Sequence, residues 1–95
     1  MANYFVALDP RGGDQPEYHV RLETAIRQLD PHAIKLFHTV WHLQSSLSPT
    51  EIVNVVRPSL DPRDGLVVVK AASAAWVNDV EESGATVLAR WTNQG

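Results

Sequence analysis

The chain opens with Tyr4-Phe5-Val6-Ala7-Leu8, apolar at every position and stopped by Asp9-Pro10. That pattern predicts a short strand covered on both faces and therefore central in a sheet. The polar stretch 11–15, with Gly12 and Gly13 in it, reads as a flexible connection. Pro16 suits a first helical turn, where its missing N–H costs nothing, and Tyr18, Leu22, Ala25, Ile26 and Leu29 recur on one helical face. A helix over 16–29 follows, with Glu17/Arg21 and Glu23/Arg27 as i,i+4 pairs on its solvated sides.

Asp30-Pro31 punctuates the chain, and the next apolar segment fits two periods. Ala33, Phe37, Val40, Trp41 and Gln44 line a helix, whereas Phe37, Thr39, Trp41 and Leu43 alternate as one face of a strand, kinked or folded as a tight hairpin. Ser48-Pro49-Thr50-Glu51 is a capping box, so a helix starts there with Ile52, Val55 and Val56 as its apolar stripe, and Pro58 ends or kinks it. Asp61-Pro62-Arg63-Asp64-Gly65 is turn chemistry ahead of Leu66-Val67-Val68-Val69, which reads as a second short buried strand. Beyond Lys70 the chain turns small at 71–76 and acidic at Asp79, Glu81 and Glu82, and Ala85–Trp91 forms an extra strand or a short helix.

With the middle segment extended, the order is βαββαβ, an α+β ferredoxin-like fold whose antiparallel sheet carries two helices on one face. Right-handed crossovers set the hand of each β-α-β half. Ninety-five residues suffice for one core and not for two, so 1–95 is read as a single domain.

Composition narrows the function classes. The net charge is -3 and the basic residues are scattered, so bulk attraction to nucleic acid is not expected and contact with it requires a local patch. The lack of cysteine removes disulfides and thiolate chemistry and points to a reducing compartment. No apolar run is long enough to span a bilayer and Met1-Ala2-Asn3 has no basic leader, so a cytoplasmic protein without a membrane partner is expected.

Few residues suggest chemistry on their own. Asp9 fits an ordinary turn carboxylate before Pro10. Gly12-Gly13 has no Lys-Ser/Thr after it, so it is no phosphate loop. His38 and His42 share a helical face but lack a zincin glutamate, and on a strand they stand about 13 Å apart, too far for one ion. His19 and His32 read as solvated imidazoles, and Trp41, Trp76 and Trp91 as core or interface residues. Ser45, Ser46 and Ser48 have no histidine and carboxylate at a recognisable spacing.

Taken in order, these motifs resemble the SinR-like family of small bacterial and phage proteins, grouped with VapD and the small CRISPR adaptation subunit in a ferredoxin-like superfamily. The likeness rests on the strand ending in Asp9, Thr39-Val40-Trp41, the Ser48 to Glu51 helix start, the Asp61 to Val69 turn and strand, and Ala74-Ala75-Trp76. It implies that 34–45 is extended chain and that the protein is a homodimer. It further implies a non-catalytic interaction protein of mobile-element or CRISPR and defence biology that engages a protein partner. The alternative it implies is a metal-dependent endoribonuclease or endodeoxyribonuclease. In that case Asp9 meets its symmetry mate to hold Mg2+ or Mn2+, and Arg11 and Arg63, with Lys35 and Lys70 nearby in type, hold the nucleic-acid backbone. Two carboxylates around a hard cation could activate a water against a phosphodiester.

Overall fold

A computed structural model describes residues 1–12 and 16–72. The elements run β1 (Ala2–Asp9), α1 (Pro16–Leu29), β2 (Ile34–Phe37), β3 (Val40–Ser45), α2 (Pro49–Val56), a 3-10 turn (Arg57–Ser59) and β4 (Gly65–Ala71). The strands form one antiparallel sheet in the order β2-β3-β1-β4. Each helix therefore crosses between two strands that have a third between them, which is the βαββαβ ferredoxin-like arrangement. The extra element expected over 85–91 lies outside the described residues.

The ambiguous middle segment is a hairpin. His38 and Thr39 turn the chain, and the Thr39 carbonyl accepts from the Leu8 backbone N–H at 2.9 Å, tying the turn to β1. The turn splits the alternation that a continuous strand would keep, so Trp41 and Leu43 face the helices while Phe37 stands exposed across the hairpin. A register shift between Lys35 and Phe37 absorbs the odd residue.

Register places Tyr4, Val6 and Leu8 of β1 beside Leu43 and Trp41 of β3, and this face packs against Tyr18, Leu22 and Ile26 of α1 and Ile52 and Val56 of α2. The predicted helical stripes are thus the core, except that Val55 is exposed. Ser48 caps α2 as expected: its hydroxyl accepts from Glu51 N at 3.2 Å, and the Glu51 carboxylate accepts from Ser48 N at 3.0 Å. That bond holds the Glu51 carboxyl below the ordinary carboxylate range. Pro58 does end the helix, which tightens into the 3-10 turn at Arg57.

Strand β4 departs from the sequence reading. Its register partners lie on β1 alone among the described residues, and Val67 and Val69 are 56% and 47% exposed. A run of valines looks the same whether one face or two are covered, so its local pattern concealed an edge position. No helix among the described residues is long and apolar enough to cross a membrane.

Candidate functional site

Three of the residues singled out for chemistry, Asp9, Arg11 and Arg63, meet at one end of the sheet. There β1 runs out at Asp9, paired in register with Gly65 at the start of β4. The turn leading into β4 is built by its own acids. Asp61 accepts from Arg63 N at 2.9 Å through its side chain, and its carbonyl accepts from Asp64 N at 2.9 Å, closing a tight turn around Pro62. Asp64 then returns one oxygen to Asp61 N at 3.1 Å and the other to Gly12 N at 2.8 Å. The second bond fastens the loop after β1 to the turn before β4.

Gly12 is consequently not the loose connection its composition suggested. A Cβ at this position would lie 2.3 Å from Cγ of Asp61, inside any tolerable contact, so the backbone approach requires glycine. Gly65 is less constrained, its Cβ position lying 3.2 Å from Asp9 Cβ and from the Arg11 guanidinium. Gly13 lies outside the described residues.

The candidate charges at this end, Asp9, Arg11 and Arg63, each have an internal partner. Arg11 Nε donates to Asp9 Oδ2 at 2.9 Å, with both side chains about two-thirds exposed. Arg63 donates to Asp61 through Nε at 3.0 Å and Nη2 at 3.2 Å. These hydrogen bonds hold the Asp61 carboxyl below its ordinary range and raise the Arg63 guanidinium further. Solvent screening keeps such exposed pairs weak contributors to stability. Next to the turn lies an open cavity of about 490 Å³, lined by Val53, Arg57, Leu60, Asp61, Pro62, Asp64 and Leu66.

The metal expectation can be tested on this donor set. Among the described residues no group of three or more His, Asp or Glu side chains is arranged to hold an ion. Asp9 supplies one carboxylate, and Arg11 already occupies one of its oxygens. One chain therefore does not fit Mg2+ or Mn2+, which need several oxygen ligands. The structure does bring Asp9, Arg11 and Arg63 to the same end of the sheet. Lys35 and Lys70 lie elsewhere, at register positions opposite Trp41 and Tyr4.

Sequence reasoning missed a second polar cluster. Asn3 Oδ1 accepts from His42 Nε2 at 2.9 Å and from Gln44 Nε2 at 3.1 Å, and all three residues are buried. The three sit at register positions on the sheet face opposite the helices, where Ile34 and Leu36 are also buried. Beside it, Asp30 accepts from Gln44 N at 3.0 Å and His32 N at 2.9 Å. The only sequence trace of this cluster is polar residues at alternate positions of apolar strands, the places where a half-solvated strand would put them anyway.

The fold and this charged end define a small ferredoxin-like α+β domain. No protein-family model, curated protein or solved structure matches the chain.

Proposed function

We propose that the chain is a small non-catalytic interaction protein that works as a cytoplasmic homodimer, of the kind its resemblance to the SinR-like proteins implies, and that it engages a protein partner in mobile-element or defence biology. The observation that carries this reading is the β4 edge. Among the described residues β4 pairs on one side only, and Val67 and Val69, on its face away from the helices, are half exposed. An apolar edge strand of seven residues is a template for another strand, and a second copy supplies one with the same geometry. The internal ion pairs around Asp9 and Asp61 support a structural role for those charges. Light scattering at micromolar concentration is expected to give twice the monomer mass of 10.5 kDa, and Val69→Lys to give the monomer. A strictly monomeric wild-type chain overturns the proposal.

A second reading, a metal-dependent endonuclease, is favoured by the convergence of Asp9, Arg11 and Arg63 at one end of the sheet. In it two Asp9 carboxylates pair across the dimer and the arginines exchange their internal partners for phosphate. It requires cleavage of RNA or DNA that depends on Mg2+ or Mn2+ and disappears in a folded Asp9→Ala variant. Equal cleavage by that variant, or none by the wild type, removes this reading and leaves the first.

A further inference from the structure

Resting on the homodimer reading, we propose that the cavity beside the Asp61 to Gly65 turn receives Lys70 of a second copy of the chain, the two copies pairing antiparallel along β4 about a twofold axis at Val68. β4 bonds to β1 on one side, and among the described residues no strand lies on its other side. Its outer backbone N–H and C=O groups are therefore open to a further strand. A twofold axis that sets two antiparallel strands side by side stands perpendicular to the sheet. The residue on the axis then meets itself, and each face of the sheet continues across the seam. β4 has seven residues, Gly65 to Ala71, and only an axis at its centre, Val68, lets all of them pair.

In that register Lys70 lies opposite Leu66 of the other copy. Both positions belong to the helix side of the sheet, because they pair with Tyr4 and Leu8, which carry the core. Leu66 is also a wall of the cavity of about 490 Å³, with Val53 and Leu60 as further apolar lining and Asp61, Asp64 and Arg57 as its charges. The apolar wall suits the carbon stem of a lysine, and the acids suit its ammonium. Asp61 is offset by Arg63, and Arg57 is exposed at the C-cap of α2, where the negative end of the helix dipole offsets it. Asp64, by contrast, is held by the neutral amides of Asp61 and Gly12, and its oxygens have lone pairs left for a cation. Lys70 stands diagonal to Asp64 across the seam, about 7–8 Å backbone to backbone, within the reach of a long side chain. It is exposed, and among the described residues it has no ion-pair partner of its own. Symmetry makes the contact twice. On the other face the half-exposed Val67 and Val69 of each copy meet Val69 and Val67 of its mate and cover one another.

The same contact fixes the separation of the two Asp9 carboxylates. Asp9 pairs with Gly65, three residues from Val68, and β1 stands one strand further from the axis. With about 3.3 Å per residue and about 4.8 Å between strands, the two Asp9 backbones lie about 25 Å apart, at opposite ends of the joined sheet. Two carboxylates on one ion bring their backbones within about 10 Å. This dimer therefore excludes a metal shared between the two Asp9 side chains.

The test uses single cysteines in the full chain, which has none of its own. Val68→Cys should give a disulfide-linked dimer on mild oxidation, because the residue on the axis faces itself at about 4.5–5.5 Å between Cα atoms. Val20→Cys, exposed on α1, should not. A nitroxide on Asp9→Cys should show, by double electron–electron resonance, a backbone spacing near about 25 Å. Lys70→Glu puts two like-charge contacts in place of two attractive ones and should weaken the dimer at least about tenfold in sedimentation. Lys35→Glu, on the strand at the far edge of the sheet, should leave the affinity unchanged. Each variant is checked for native circular dichroism. A dimer that Val68→Cys fails to cross-link, that holds the Asp9 labels close together, or that weakens equally in Lys35→Glu and Lys70→Glu or in neither overturns this contact while the homodimer stands. A monomeric wild type overturns both.

Discussion

Asp30 holds together three parts of the fold, and removing its carboxylate should destabilise the protein by about 2–4 kcal/mol. The residue is 7% exposed, at the end of α1, where its backbone N–H donates to Ile26 and its carbonyl accepts from Ala33 N. Its two carboxylate oxygens divide between Gln44 N on β3 and His32 N in the turn. β2 begins at Ile34, opposite His42, so the Asp30 side chain satisfies a β3 amide that lies beyond the reach of that strand. Hydrogen bonds to a charged acceptor contribute about 1.5–3 kcal/mol net each, and a buried N–H left without an acceptor costs about 1–3 kcal/mol. Relief of the buried charge offsets part of the loss in Asp30→Ala. The remainder is a large share of the roughly 5–14 kcal/mol available to a chain of this size. With a denaturant slope of about 2 kcal/mol/M, the urea midpoint followed by circular dichroism should fall by about 1–2 M. Asp30→Asn should recover at most half, because an amide offers one acceptor end and must turn its NH2 toward one of the two donors. The reasoning fails if Asp30→Ala costs under about 0.5 kcal/mol, the range of an uninvolved surface site, or if Asp30→Asn matches the wild type.

Three further outcomes follow from the local geometry. Gly12→Ala should lower stability by about 1–3 kcal/mol because its methyl meets Asp61, whereas Gly65→Ala, with its nearest contacts at 3.2 Å, should cost under about 1 kcal/mol; similar thermal melts for the two would contradict the contact. Ser48→Ala should cost about 1 kcal/mol through the lost cap. The reciprocal bond of the capping box, from the Ser48 backbone N–H, depresses the folded-state Glu51 carboxyl, as Arg63 depresses Asp61, so the stability these groups add is complete above their ordinary values of 4.5 and 3.8 and is lost as pH falls through the lower folded values. A urea-midpoint profile against pH should show that acid loss, and Glu51→Gln, which has no carboxylate to titrate, should remove the part belonging to Glu51.

Much of the architecture was legible in the chain because its signals are local. Pro16 and the Tyr18, Leu22, Ala25, Ile26 face mark α1, and the reciprocal bonds of Ser48 and Glu51 mark the start of α2 within four residues. The turn chemistry of Asp61 to Gly65 likewise announces β4. Such features depend on neighbours three or four positions away, so no knowledge of the rest of the fold is needed to read them.

What tertiary structure alone decided depends on distant neighbours. Whether 34–45 turned at His38-Thr39 could not be read from an alternation that fits helix and strand alike; pairing with β1 on one side of β3 and β2 on the other selects the hairpin. Val67 and Val69 are exposed because their register opposite Ala7 and Phe5 puts them on the sheet face away from the helices, and Gly12 is constrained because Asp61 stands against it from 49 residues away. Asp30 is written as punctuation in the sequence and becomes a buried acceptor only once α1 ends beside β3. In each case the deciding group is remote in the chain, and its effect on burial and hydrogen bonding exists only after the sheet has closed.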